Sequence, residues 1–322
     1  MLNYPLKFKP ILKQKIWGGN KLVDILNKVS IDKNIGESWE ISDVDNNISV
    51  VANGKLEGKT LKDIVKEHKA DLVGNKNYQV FKDKFPLLIK FIDAAQDLSV
   101  QVHPNNELAK KRHNSFGKTE MWYIMEAEEN SNLVLGFSKE ISPKQYKELL
   151  KEKAIISVLN FKKIKKGDAF FIEPGTVHAI GAGVVLAEIQ QTSDITYRIY
   201  DWDRVDTQGK SRELHTDLAI EAINFSTEIN ANRNYSSSLN ELNAMVTCPY
   251  FKTNFIPVKG EKVLDYKEID SFVIFMCVEG AATISIFNNS ETITYGETIL
   301  IPANANSVTI NSGNCKLLEV TV

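Results

Sequence analysis

Over much of its length this chain runs in short stretches rich in Val, Ile, Phe and Tyr that alternate with Gly, Asn, Asp and Pro. Residues two apart in a strand point to the same face, so such stretches read as strands with two distinct sides. Residues 98–103 show the pattern: Val100 and Val102 face one way, while Ser99, Gln101 and His103 face the other. Many short strands separated by turn residues favour an antiparallel sandwich or barrel over a parallel α/β sheet. The predicted class is therefore mainly β, with a few short helices.

Helix signals are local. Ser142, Pro143 and Gln145 supply an N-cap, a proline at the first helical position and a capping-box partner. Thr60 with Leu61, and residues 106–109, begin two further predicted helices, and a fourth is expected over residues 213–225 with Leu214, Leu218 and residues 220–222 buried. An internal echo sets the larger organisation. Residues 167–178 (GDAFFIEPGTVH) recur 129 positions later as 296–306 (GETILIPANAN), so that with one deletion Pro174 matches Pro302 and His178 falls on Asn306. Residues 121–126 similarly resemble 272–280. Two jelly-roll units are expected. The first, residues 1–235, would carry the site, and the second, 236–322, would be a metal-free packing or lid unit, with no His between 250 and 322. The Asn- and Ser-rich stretch 226–243 reads as the connection.

Four side chains offer metal-ligating atoms at strand ends: Gln101, His103, Glu120 and His178. Two imidazoles, a carboxylate and a carboxamide oxygen suit a borderline-to-hard divalent ion, with Zn2+, one per chain, the leading expectation. His68 and His113 lie in charged, helix-like settings and are expected to be solvated. Lys90 interrupts an apolar strand and Lys118 is in phase with Glu120, so both are candidates for acid–base work or anion binding. Arg198 alternates with Tyr197 and Ile199, which places it beside Tyr200. It needs an anionic partner, either a ligand or Asp201 or Asp203. Asp194 and Glu188 are candidate carboxylates, and Ser99 is a candidate hydrogen-bond donor.

Composition bounds the alternatives. The net charge of −2, with 25% charged residues, provides no basic surface for nucleic acid. The run at 162–166 reads as a solvated, Lys-rich loop. Cys248, Cys277 and Cys315 show no metal or redox spacing and suit a reducing, cytoplasmic compartment. No signal-like or membrane-spanning apolar run is evident. Neither Gly181–Gly183 nor the Trp17-Gly18-Gly19 stretch, read as a turn, provides a nucleotide-phosphate loop.

Six blocks, in order, resemble type I phosphomannose isomerases of the cupin superfamily: residues 12–19 (LKQKIWGG), 35–42 (IGESWEIS), 88–105 (LIKFIDAAQDLSVQVHPN), 117–123 (GKTEMWY), 174–179 (PGTVHA) and 191–198 (QTSDITYR). The likeness runs from about residue 5 to 215 and more loosely beyond, and the length suits the short bacterial form. Longer members carry Lys-Pro-Glu where this chain has Lys118, Thr119 and Glu120. The resemblance implies interconversion of mannose 6-phosphate and fructose 6-phosphate through a cis-enediol, at a metal held by Gln101, His103, Glu120 and His178. It also implies that Arg198 stabilises developing charge or binds phosphate. Lys118, Lys90 and Asp194 complete the expected catalytic set, and Ser99, Lys118, Arg198 and Glu188 the substrate contacts. A monomer acting on a phosphorylated hexose is the simplest expectation.

Two rivals stand beside this reading. An iron oxygenase would use His103, Glu120 and His178 as two His and one carboxylate, with Gln101 a bystander. A sugar-phosphate sensor could use the same scaffold without turnover. A structural zinc fits less well, because such sites are closed by Cys and His.

Overall fold

A computed structural model describes residues 2–205 and 208–322. The strand pattern is realised as two facing antiparallel sheets in the first unit. The five-stranded sheet runs Leu159–Lys163, Asn132–Phe137, His178–Ile180, Val100–Val102, Tyr197–Tyr200. The seven-stranded sheet runs Asn232–Arg233, Ala169–Ile172, Glu120–Ala127, Val184–Gln191, Leu87–Ala94, Ile11–Gly19, Ile35–Ile41, and the last of these also pairs directly with Leu87–Ala94.

Side chains alternate across the larger sheet as period 2 requires. Trp122, Ile124, Phe170, Ile92 and Leu186 point inward, where they meet Leu133, Leu135, Leu98 and Ile180 of the five-stranded side. Met121, Tyr123, Met125, Phe171, Phe91 and Ala187 point outward and join one core with Phe255, Phe272, Ile274, Met276 and Leu318 of the second unit. Both faces of the sheet are thus covered. That is why Leu87–Ala94 and Val184–Gln191 are buried at every position and read as nearly continuous apolar runs in which a lone Lys stands out. The outer face of the five-stranded sheet packs under Tyr146, Ile155, Val158 and Ala219.

The second unit is built on three long strands, Lys252–Asp265, Val273–Ile286 and Ser307–Thr321. Register shifts at Val258/Gly260, Cys277/Glu279 and Ala281/Thr283 bend them, so one strand can serve both walls of a curled sheet. The echo seen in the sequence is one repeated strand pair. Ala169–Ile172 lies on Glu120–Ala127, and Thr298–Ile301 lies on Val273–Ile286. Contacts cross between the units: Leu6 pairs with Leu300, Lys7 bridges Glu297 at 2.8 Å, and Asp270 accepts the backbone N–H groups of Asn75 and Lys76.

The capping box at Ser142/Gln145 forms as expected, the helix begun at Thr60 carries a second one with Asp63, and Asn105 caps Asn106–His113. Four expectations need correction. The helix over 213–225 shrinks to Thr216–Ala222, with Ala219 and Ile223 buried and Leu214 and Leu218 exposed. The His215 N–H is committed to the Arg198 carbonyl at one end and the Asn224 N–H to the Gly175 carbonyl at the other, which leaves the helix no room to extend. The Lys-rich run is half strand, since Leu159–Lys163 forms the edge of the five-stranded sheet, where lysines blunt an open edge. Gly18 and Gly19 lie in a strand, not a turn. A Cβ on Gly18 would strike the Asn34 backbone and one on Gly19 the Asp93 carboxylate, so the glycines permit close approach. Finally, His68 is largely enclosed, not solvated, whereas His113 is exposed as expected, with its Nε2 2.8 Å from the Tyr197 hydroxyl. Among the described residues no helix is long and apolar enough to cross a membrane.

Candidate metal centre and substrate pocket

His178 is paired with Gln101 across adjacent strands, and Gln101 is paired with Arg198 on the next, so three site residues lie side by side on the five-stranded sheet. The seven-stranded sheet supplies Glu120, Lys90 and Glu188 from three neighbouring strands, with Glu188 in register with both Lys90 and Trp122. The packing of the two sheets brings the two sets face to face.

His103, Glu120 and His178 are fully buried, and one ligating atom from each lies within 4.8 Å of the others. Each imidazole is fixed by its far nitrogen. His103 Nδ1 donates to the Ile195 carbonyl and His178 Nδ1 to the Thr176 carbonyl, both at 2.9 Å, so both Nε2 atoms present lone pairs to the centre. Burial, followed by the charge of Lys118, pushes His178 down to about 3, and the same two causes hold His103 well below its ordinary range. Both rings are therefore neutral, and their 3.4 and 3.7 Å approaches to Glu120 are contacts between ligand atoms, not ion pairs. Glu120 Oε1 is buried without a hydrogen-bond partner. An orphaned carboxylate oxygen facing two imidazole lone pairs is what a cation would satisfy, so the donor set fits a divalent metal. Gln101 Nε2 lies 3.2 Å from His178 Nε2, and turning the amide over offers its oxygen as a fourth ligand.

Lys118 reaches into this cluster, donating to Glu120 Oε2 at 2.6 Å with its Nζ 2.9 Å from His103 Nε2. Burial raises Glu120 to about 7 despite the opposing pull of Lys118. Lys90 donates to Glu188 at 2.8 Å and to Gln190 Oε1 at 2.7 Å, and the Trp122 indole donates to the other Glu188 oxygen at 2.9 Å. Burial works against ionising Glu188, but Lys90 and Lys118 outweigh it and bring the carboxyl down to about 2. Burial likewise works against Lys90, and Glu188 with Glu37 more than offsets it, raising the ammonium above its ordinary value.

A cavity of about 260 Å³ opens from this cluster, lined by Lys90, Ser99, Gln101, Lys118, Glu188 and Arg198, with exposed Asp194 at its mouth. Every expected catalytic and substrate-contact residue therefore lines one cavity. A larger one, about 560 Å³, lies between Tyr123 and Phe255 on the outward face and holds none of these groups. The chemistry marks the smaller one.

Arg198 departs from expectation in its neighbour. A register shift between it and Tyr200 breaks the alternation, and Tyr200 joins Tyr197 and Ile199 in the apolar cluster. Of the two kinds of anionic partner expected, a ligand or an aspartate, Arg198 pairs with neither aspartate. Asp201 is taken by Arg204 and Arg212, and Asp203 by Lys153. Its Nη1 donates to the Glu213 carbonyl at 2.8 Å, and its Nε is buried without a partner. Sequence reasoning did not find Glu37, Trp39 or Lys15 in the wall, although Trp39 is registered directly against Lys90. It also missed His215, whose Nδ1 accepts the Arg198 N–H at 3.0 Å.

Fold and site together define a cupin with a possible metal-binding triad at the head of a polar pocket. The sequence matches the family description "Phosphomannose isomerase type I, catalytic domain" over residues 6–131 and "Mannose-6-phosphate isomerase, cupin domain" over residues 240–322. It is 37% identical to mannose-6-phosphate isomerase ManA of Bacillus subtilis, covering 87% of each chain, and 32% identical to the mannose-6-phosphate isomerase of Streptococcus mutans, covering 92% of each. The crystal structure of the mannose 6-phosphate isomerase from Bacillus subtilis superposes with a TM-score of 0.89 at 31% identity, over 99% of this chain and 100% of that one. The chain belongs to the type I phosphomannose isomerase family.

Proposed function

We propose that the protein interconverts mannose 6-phosphate and fructose 6-phosphate at the 260 Å³ cavity, using one zinc ion held by Gln101, His103, Glu120 and His178. The observation that carries this reading is the buried triad in contact with Lys118, beside one cavity that Lys90, Lys118 and Arg198 line. A phosphosugar requires such cations, and a small apolar oxygenase substrate does not. A bound divalent ion would act as a Lewis acid toward the sugar oxygens. In the aldose-to-ketose direction a proton leaves C2, gives a cis-enediol, and returns at C1, while the hydroxyl proton passes from O2 to O1. Lys118 Nζ is the group we assign to this carbon-to-carbon transfer. The Lys90–Glu188 pair is ionised and holds the sugar hydroxyls. Arg198, with no carboxylate of its own, stabilises negative charge, Ser99 donates to the phosphate, and Asp194 guards the mouth.

The second unit, from about residue 236, acts in this reading as a metal-free support for the back of the seven-stranded sheet. In this reading the enzyme acts as a monomer. The three unpaired cysteines suit a cytoplasmic setting. A coupled assay for fructose 6-phosphate, run before chelation, after it and with Zn2+ restored, tests the proposal. Activity should vanish and return. Turnover absent from the zinc-loaded protein would sink the isomerase reading, and iron-dependent oxygen uptake would replace it with the oxygenase. Lys118→Met should abolish turnover while mannose 6-phosphate still binds. A wild type that binds without turnover would instead be a sensor.

A further inference from the structure

Beside Arg198 the pocket wall carries a second guanidinium, Arg212. Its Nε donates to Asp201 Oδ2 at 2.7 Å and its Nη2 to Oδ1 at 2.5 Å, a two-point fork that fixes the plane of the group. Asp201 is 5% exposed and is gripped again by Arg204 Nη2 at 2.5 Å. Arg204 in turn donates to the Asp97 carbonyl at 2.6 Å, and the Trp202 indole to the Leu98 carbonyl at 2.7 Å. The clasp is thereby tied to the chain that leads directly into Ser99. One carboxylate is thus shared by two guanidiniums, with Arg198 alongside. Burial and then the charge of Arg212 lower Arg198 below its ordinary value, a further sign that the two cations crowd each other. Such crowding is costly unless an anion joins them, and a phosphate is an anion that two guanidiniums can share.

Resting on the isomerase reading, we propose that Arg212 is a phosphate-recognition residue and that Asp201 is the positioning residue that aims it, so that the phosphate sits among Ser99, Arg198 and Arg212. In this arrangement Arg204 braces the carboxylate from behind. A purely structural clasp would hold the 201–212 turn in place and make no demand on the ligand.

The test is calorimetric titration of inorganic phosphate into the zinc-loaded protein, together with steady-state kinetics on mannose 6-phosphate. Arg212→Gln and Asp201→Asn should each raise the phosphate dissociation constant and KM together, by about tenfold or more for the arginine, while kcat falls much less. Arg212→Lys keeps the charge without the fork and should recover only part of the affinity, so a misfolded glutamine variant does not end the test. Wild-type phosphate affinity in Arg212→Gln, or a loss of kcat at unchanged KM, would overturn the assignment. Full affinity in Arg212→Lys would remove the positioning role of Asp201. A wild type that binds phosphate but does not turn over the sugar defeats the isomerase reading and leaves this one intact. A wild type that binds no phosphate defeats this one.

Discussion

The two β units present the same strand pair with opposite interiors. In the first, Ile172 faces Glu120 and Phe170 faces Trp122. In the second, Ile301 faces Val273 and Ile299 faces Phe275. His178, buried in the first unit, corresponds to Asn306, exposed in the second. The scaffold therefore tolerates either filling, but the two differ in what they require. Two buried charge pairs mark the pocket side of the first unit: Glu120 with Lys118, and Lys90 with Glu188. Among its described residues the second unit buries one carboxylate, Glu319, which accepts from Asn254 and Tyr266, and an otherwise apolar interior fills the rest. Buried ion pairs contribute little net stability compared with apolar packing, so the charged filling is retained for chemistry and the second unit shows what the fold does without it.

Exchanging residues between the units puts that contrast to the test. Val273→Glu places a carboxylate where no cation waits and should cost about 4 kcal/mol or more, read from urea unfolding. A cost below about 1 kcal/mol would show that the second interior adapts as readily as the first. Glu120→Val strands Lys118 in the first interior and should cost about 3 kcal/mol in the metal-free protein, whereas adding Lys118→Met should restore most of it. His178→Asn, which copies Asn306, should remove bound metal and lower kcat/KM by about 10²-fold or more, with metal content measured by mass spectrometry.

A smaller effect follows from acidity. In the chelated protein Glu120 titrates near 7, above its ordinary value, so it carries a proton below that pH that an incoming cation must displace. Metal affinity should fall as pH drops through 7, by up to about tenfold per unit, with proton release measurable by titration in buffers of different ionisation heat. The same raised value means that the metal-free fold loses stability from this group as pH rises from the unfolded carboxyl value through 7. Least of all, Leu214→Ser should change stability by less than about 0.5 kcal/mol, because that side chain is exposed and not part of a buried helix face.

What could be read from the sequence follows from the range of each signal. Gln101 and His103 share a strand face by period, Lys118 and Glu120 lie two apart, and the Ser142 and Thr60 caps are complete within four residues. All of these are local. The meeting of Glu120 with His178 was supplied by family resemblance, and the structure adds the register that produces it. Arg212 escaped notice because its meaning depends on Asp201, eleven residues away across a turn, and on a pocket that exists only after both sheets close. Glu37 and Trp39 escaped for the same reason, since their register against Lys90 is set by strand pairing. Arg198 does line the pocket, but it was given the wrong strand-face neighbour, because a bulge after it shifts the alternation on which the reading relied.

The seam between Leu6 and Leu300 carries a temporal consequence. Lys7 and Glu297 stand 290 residues apart in the chain, yet they close the same seam. During synthesis the outward apolar face of the seven-stranded sheet, which Leu61, Ile64 and Leu72 already help to line, gains its last cover only when Phe272, Ile274 and Leu318 emerge. The catalytic half is thus made first and finished last. Between completion of that sheet at Asn232–Arg233 and the arrival of its last cover, the face is a partly clothed apolar surface of the kind that makes a folding intermediate prone to aggregate.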